Sequence, residues 1–119
     1  MTTHQIASRL ADLCKQGKFE EAQKELYSKE ATSTEPREMP PFPKEVIGLD
    51  AILKKSEAFN QMVEALHSCE VGEPVVADHS FAFTLTLDST WKGQGRSKST
   101  ELCVYEVKDG KIVAEQFFM

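Results

Sequence analysis

The sequence predicts an α+β fold, with helices gathered on one face of a curved antiparallel sheet. Three observations predict it. Apolar residues recur at helical spacing through residues 3–15, 19–28 and 49–67, and from residue 70 the period changes to two. The pair Asp109-Gly110 then marks a two-residue hairpin before the final strand. The 119 residues make a single domain, residues 1–119, large enough to bury a core without disulfides or metals.

Each element has a local reason. Ile6, Leu10, Leu13 and Cys14 share one face of the first helix, with Thr3 as its N-cap and Gly17 as the residue that ends it. Phe19, Ala22 and Leu26 form the stripe of a second short helix running to Ser28. Thr32, Ser33 and Thr34 favour extended backbone, and Pro36 extends Glu35, so residues 28–35 read as a short strand. Pro40, Pro41 and Pro43 make residues 37–48 a loop. In the long helix, Leu49, Ile52, Leu53, Phe59, Met62, Val63 and Leu66 mark the buried stripe, with Lys54, Lys55, Glu57 and Glu64 on the wet side. Strands follow at 70–77, with Pro74 as an edge or bulge, at 80–89, at 96–107 and from 111 to the last residue.

Composition excludes several classes of function. A net charge of −5 is a poor match for phosphate backbones, so no nucleic-acid partner is expected. No apolar run approaches a membrane span, and MTTHQIASRL lacks a basic and apolar leader, so no membrane partner is expected. Cys14, Cys69 and Cys103 are odd in number and widely spaced, which reads as free thiols in the cytoplasm. His4, His67 and His79 have no metal-ligand spacing, so no metal is expected. Gly93-Gln94-Gly95 lacks the third glycine of a phosphate loop and sits between strands, so it reads as a turn.

Five short segments carry a family resemblance. They are Glu30-Ala31-Thr32 before Glu35-Pro36; Gly48-Leu49-Asp50-Ala51-Ile52 at the head of the long helix; Phe81-Ala82-Phe83-Thr84; Asp109-Gly110-Lys111-Ile112-Val113; and Glu115-Gln116-Phe117-Phe118. In this order they resemble the nuclear-transport-factor-2-like, or cystatin-like, superfamily, and within it the SnoaL-like group that also contains ketosteroid isomerase. The resemblance implies a cone-shaped curved antiparallel sheet wrapped around three N-terminal helices, enclosing a conical cavity. It implies Glu35 at the position of the general base. It also sets Leu10 where the family's first helix carries an oxyanion-binding Tyr, and Cys103 where a strand carries a protonated Asp. A leucine and a weakly donating thiol cannot stabilise a dienolate as that pair does, so ketosteroid isomerisation is not expected.

The same register lines a pocket. If Cys103 points inward, Glu101 and Tyr105 do too. Glu115, Phe117 and Met119 face in from the last strand, and Phe83, Leu85 and Leu87 from an earlier one, with Trp91 at its turn. Met39 and Phe42 need an apolar neighbour and would form a lid. Such apolar walls with sparse carboxylates suit a small apolar ligand. Glu35 is the first candidate base, with Glu115 or Tyr105 as its polar partner. The alternatives are a Glu35 that merely ends a strand, a Glu101 at the wet rim, a Glu115 paired with Arg96 or Lys98, and a Tyr105 that only packs. His79 reads as a surface residue.

Two functions therefore stand side by side. One is a cofactor-independent isomerase, cyclase or hydratase using a carboxylate base. The other is a non-catalytic ligand-binding or dimeric interaction module. In either case Val104, Ile112 and Phe118 are expected on the outer sheet face, where three apolar side chains point to a homodimer through the sheet.

Overall fold

The computed structural model describes residues 1–40 and 42–119. Pro41, counted above in the proline-rich loop, lies outside the described residues. The elements run α1 (Thr3–Lys15), α2 (Phe19–Leu26), β1 (Tyr27–Thr34), β2 (Glu45–Ile47), α3 (Leu49–Met62), β3 (Val63–Val71), β4 (Val75–Val76), β5 (Ser80–Trp91), β6 (Gly95–Lys108) and β7 (Lys111–Phe118). The strands form one sheet in the order β2-β1-β7-β6-β5-β3, with β4 pairing β5. Pairing is antiparallel except between β1 and β7, which run parallel. No helix among the described residues is long and apolar enough to cross a membrane.

The N-cap of α1 is Thr2, not Thr3. The Thr2 hydroxyl accepts from the Gln5 amide at 3.1 Å, and the Gln5 side chain accepts from the Thr2 amide at 2.8 Å, a capping box. Thr3 instead donates to the Asp78 carbonyl at 2.8 Å, tying the helix to the sheet. Gly17, at φ 72°, ends the helix as expected. The Lys18 amide reaches back to the Leu13 carbonyl at 2.9 Å and the Gly17 amide to Cys14 at 3.0 Å, the hydrogen-bond pair of a left-handed helix stop.

Both later helices end earlier than their periodicity predicts. α2 stops at Leu26, and Tyr27 is already extended. α3 stops at Met62. Val63 and Leu66 continue the helical spacing, yet residues 63–71 pair with β5, from Val63 beside Trp91 to Val71 beside Leu85. The long β5 offers a full row of backbone partners, and this tertiary pairing overrides the local period. Strand β3 also breaks before Pro74, at Gly72. A Cβ on Gly72 would meet Thr84 Oγ1 at 2.6 Å, so any larger residue there forces the Thr84 side chain to shift.

The helices lie on the concave face of the sheet. Ile6, Leu10 and Leu13 of α1, Leu26 of α2 and Ile52 of α3 pack against Phe81, Phe83, Tyr105 and Ile112. Alternation holds along β5 and β6, where Phe81, Phe83, Leu85, Cys103, Tyr105 and Val107 are all buried. It fails in β7. Val107 pairs with Ile112 and Glu106 with Ala114, so Val113 is an extra, unpaired residue. This bulge shifts the phase. Ile112 is therefore buried in the core with 0% exposure, and not on the outer face where strict alternation put it.

Candidate functional site

Between the helices and the concave face lies a cavity of about 670 Å³. Leu10, Leu85, Leu87, Trp91 and Phe117 give it apolar walls, and Met119 stands at its edge. Glu35, Glu101, Tyr105 and Glu115 also reach it. The proline-rich loop borders it through Met39 and Phe42, whose backbones pair with each other at 3.2 and 2.7 Å. Two of the residues expected to line it do not. Phe83 and Cys103, partners across β5 and β6, are packed within the core cluster that α1 helps to build. His79 is exposed and borders a separate open groove of about 540 Å³ with Glu106, Lys108 and Asp109.

Polar residues absent from the sequence-derived site take part in it: Gln23, Arg37, Ser56 and Asn60 line it, and Tyr27, Ser33 and Lys55 join its carboxyl groups. The parallel pairing sets Ser33 beside Glu115, and the antiparallel pairing sets Tyr105 on its other side. The Tyr27 hydroxyl donates to Glu115 Oε1, and Ser33 hydrogen-bonds the same carboxyl. Lys55 Nζ donates to Ser33 Oγ at 2.6 Å and to Glu35 Oε1 at 2.9 Å. A continuous chain of hydrogen bonds thus runs from the buried Tyr27 through Glu115, Ser33 and Lys55 to Glu35.

Lys55 was expected on the wet side of α3, yet its side chain is only 13% exposed. Its position explains this. It stands three residues after Ile52 and four before Phe59, inside the apolar stripe, and it covers the Phe117 ring at 5.7 Å. A lysine within a buried stripe was the available signal. For Tyr27 and Ser33 the signal was strand parity with Ala31, which a helix drawn through Ser28 concealed at Tyr27.

The carboxyl groups differ in their surroundings. Glu115 is 4% exposed. Burial raises its pKa, while the hydrogen bonds from Ser33 and Tyr27 and the Lys55 charge work against that rise. Glu101 is pushed up to about 7, first by burial and then by the charges of Glu35 and Glu115. Among the described residues its one hydrogen-bond contact is the Cys103 thiol, with the sulfur at 3.8 Å, a weak donor. Burial also holds the Tyr27 and Tyr105 hydroxyls far above their ordinary range, and pushes the Cys14 thiol up to about 12 and the Cys103 thiol upward as well. These thiols stay protonated and inert as nucleophiles. Among the described residues no group of three or more His, Cys, Asp and Glu side chains is arranged to hold a metal.

A carboxyl that titrates near neutrality, on an apolar cavity, can both take and return a proton. The cavity is also large enough for a compound of one to several rings.

The sequence matches the family of SnoaL-like domains over residues 1–119. No curated protein matches it. A Mesorhizobium loti protein provisionally named a SnoaL-like polyketide cyclase is 32% identical, with 100% of both chains covered and a TM-score of 0.91. A Xanthomonas campestris protein with a cystatin-like fold is 17% identical at TM-score 0.84, covering 99% of this chain and 90% of its own. A Mycobacterium tuberculosis protein in complex with estradiol-17beta-hemisuccinate is 18% identical at TM-score 0.76, covering 100% and 95%.

Proposed function

The chain belongs to the SnoaL-like domain family, and we propose that its cavity binds a small, mainly apolar carbonyl or ring compound and moves a proton on it without a cofactor. Isomerisation, cyclisation and hydration all need such a step. Glu101 is the acid–base group in this reading. The observation that carries it is a carboxyl held near pKa 7 on the cavity wall with no strong hydrogen-bond partner among the described residues. Glu35, the first candidate from the sequence, is engaged by Lys55, and its charge helps to raise Glu101. Glu115 and Tyr105 serve as the floor of the cavity. The M. loti relative's provisional name supports ring-forming chemistry, and the steroid ester held by the M. tuberculosis protein supports a ring-shaped ligand.

Leu10 and Cys103, in place of an oxyanion-binding pair, favour the second reading, a binding module that performs no chemistry. One experiment separates the two. Ketones screened in deuterium oxide are expected to exchange their α-hydrogens in the presence of the protein and not of Glu101→Gln. A Glu101 that titrates in the ordinary carboxylate range by carbon-detected NMR, with no exchange on any ketone, leaves the binding module.

We also propose a homodimer through the convex face. Leu102 and Phe118 are cross-strand partners there, 42% and 45% exposed, with Val104 and Ala82 alongside. Their neighbours Thr84 and Gln116 are uncharged, and the nearest charge on the face, Glu106, lies beyond Val104. Sedimentation of a monomer at tens of micromolar would refute it, and Phe118→Glu is expected to give that monomer. The free thiols Cys14, Cys69 and Cys103 support the cytoplasm as its compartment.

A further inference from the structure

Lys55 has one more hydrogen to give than its neighbours accept. An ammonium carries three N–H donors. Ser33 Oγ takes one at 2.6 Å and Glu35 Oε1 takes another at 2.9 Å. Among the described residues nothing else hydrogen-bonds Nζ. Ser33 and Glu35 belong to β1 and its extension, and the Phe117 ring lies beneath the ammonium at 5.7 Å. These neighbours pin the head group from the sheet side, while Lys55 also lines the cavity. With two of the three N–H groups taken, the third is available to an acceptor in the cavity that Lys55 lines. A donor so enclosed is costly to leave unpaired, and a ligand oxygen would pair it.

We infer that Lys55 is the oxygen-binding group of the cavity, and that the ligand is a ketone, enol or phenol whose oxygen lies on Nζ. The inference rests on the acid–base reading of Glu101 and gives it a second half. The Glu101 carboxylate takes a proton from the carbon beside the carbonyl. The C–H electron pair becomes the C=C bond, and the C=O π pair moves onto oxygen, where Lys55 meets the new charge. Return of the proton from Glu101 to the same or another carbon closes the cycle, so nothing is consumed. Glu35 keeps Lys55 aimed. Burial favours the neutral forms of Glu101 and Glu115, which reduces the negative charge that an oxyanion meets in the interior.

Two probes of one shape test this: 2,4-dinitrophenolate, with a charged oxygen, and 2,4-dinitrotoluene, with a methyl in its place. Binding is measured at about pH 6, where Glu101 holds its proton. Lys55→Met is expected to weaken the phenolate by about ten-fold or more and the toluene by less than about two-fold, with Lys55→Arg close to the parent protein. On the unsubstituted protein labelled with 15N-lysine, the Lys55 amine resonance is expected to move with the phenolate and not with the toluene. Equal losses for both probes, no loss for either, or an unmoved Lys55 resonance at phenolate saturation overturns the inference. So does a parent protein that binds neither probe. The Glu101 titration is a separate measurement. An unmoved Lys55 with Glu101 still titrating near 7 removes the oxygen-binding group and leaves the proton-transfer reading standing.

Discussion

Two glutamates share the cavity and live under opposite conditions. Glu115 sits at the closed end between β1 and β6, with Tyr27 and Ser33 bonded to its carboxyl. Glu101 is less deeply buried, beside a weakly donating thiol. Burial raises the pKa of both, and only at Glu115 do strong hydrogen bonds oppose it. The difference teaches that burial alone does not make a carboxyl reactive. A satisfied carboxyl is a structural joint, and an unsatisfied one is a proton carrier.

That contrast breaks most sharply at Glu115. Glu115→Ala strands the Tyr27 and Ser33 hydroxyls and opens a void, and is expected to cost about 4 kcal/mol in urea denaturation, whereas Glu101→Ala costs far less. A Glu101→Ala loss equal to that of Glu115→Ala would erase the distinction. Next comes pH. Between the ordinary glutamate value of 4.5 and about 7, Glu101 is protonated when folded and ionised when unfolded. Folding then takes up a proton, so stability is full below that window and falls as pH rises through it, by on the order of 3 kcal/mol. Denaturation at one protein concentration is expected to show this fall, and Glu101→Gln is expected to leave only the part due to Glu115. A smaller loss is expected from Tyr27→Phe, about 1–3 kcal/mol, with the Glu115 pKa rising further by NMR as a donor disappears. The smallest effect belongs to a third glutamate on the surface. Arg9 binds Glu25 through two nitrogens at 2.8 and 2.9 Å, with both side chains about 40% exposed. Arg9→Ala is expected to leave the denaturation midpoint where it was.

What could be foreseen from the sequence divides along the same line between local and distant contacts. Strand β5 was legible because Phe81, Phe83, Leu85 and Leu87 alternate with small and polar residues, and its partner rows follow from that phase. Glu101, Tyr105 and Glu115 were legible as inward residues for the same reason. The failures all involve a partner far away in the chain. Val63 and Leu66 fit a helix until β5 is known to lie beside them. Ile112 fits the outer face until the extra Val113 shifts its phase. Ser33 and Glu115 have no reason to meet until β1 is known to run parallel to β7. Lys55 looked solvated because charge was weighed before position in the stripe, although Ile52 and Phe59 flank it at helical spacing.

The parallel pairing of β1 with β7 also sets a timetable for folding. Residues 27–34 leave the ribosome long before residues 111–118, and β2 can cover only one of β1's two edges. The other edge waits for the last hairpin to arrive, some eighty residues later, a loop closure that is slow because of its entropy. Until then Tyr27 and Ser33 lack Glu115, and the cavity has no closed end. The surroundings of Glu115 are therefore among the last parts of the molecule to form, and a ribosome-stalled chain ending before residue 111 should carry an open strand edge and an incomplete cavity.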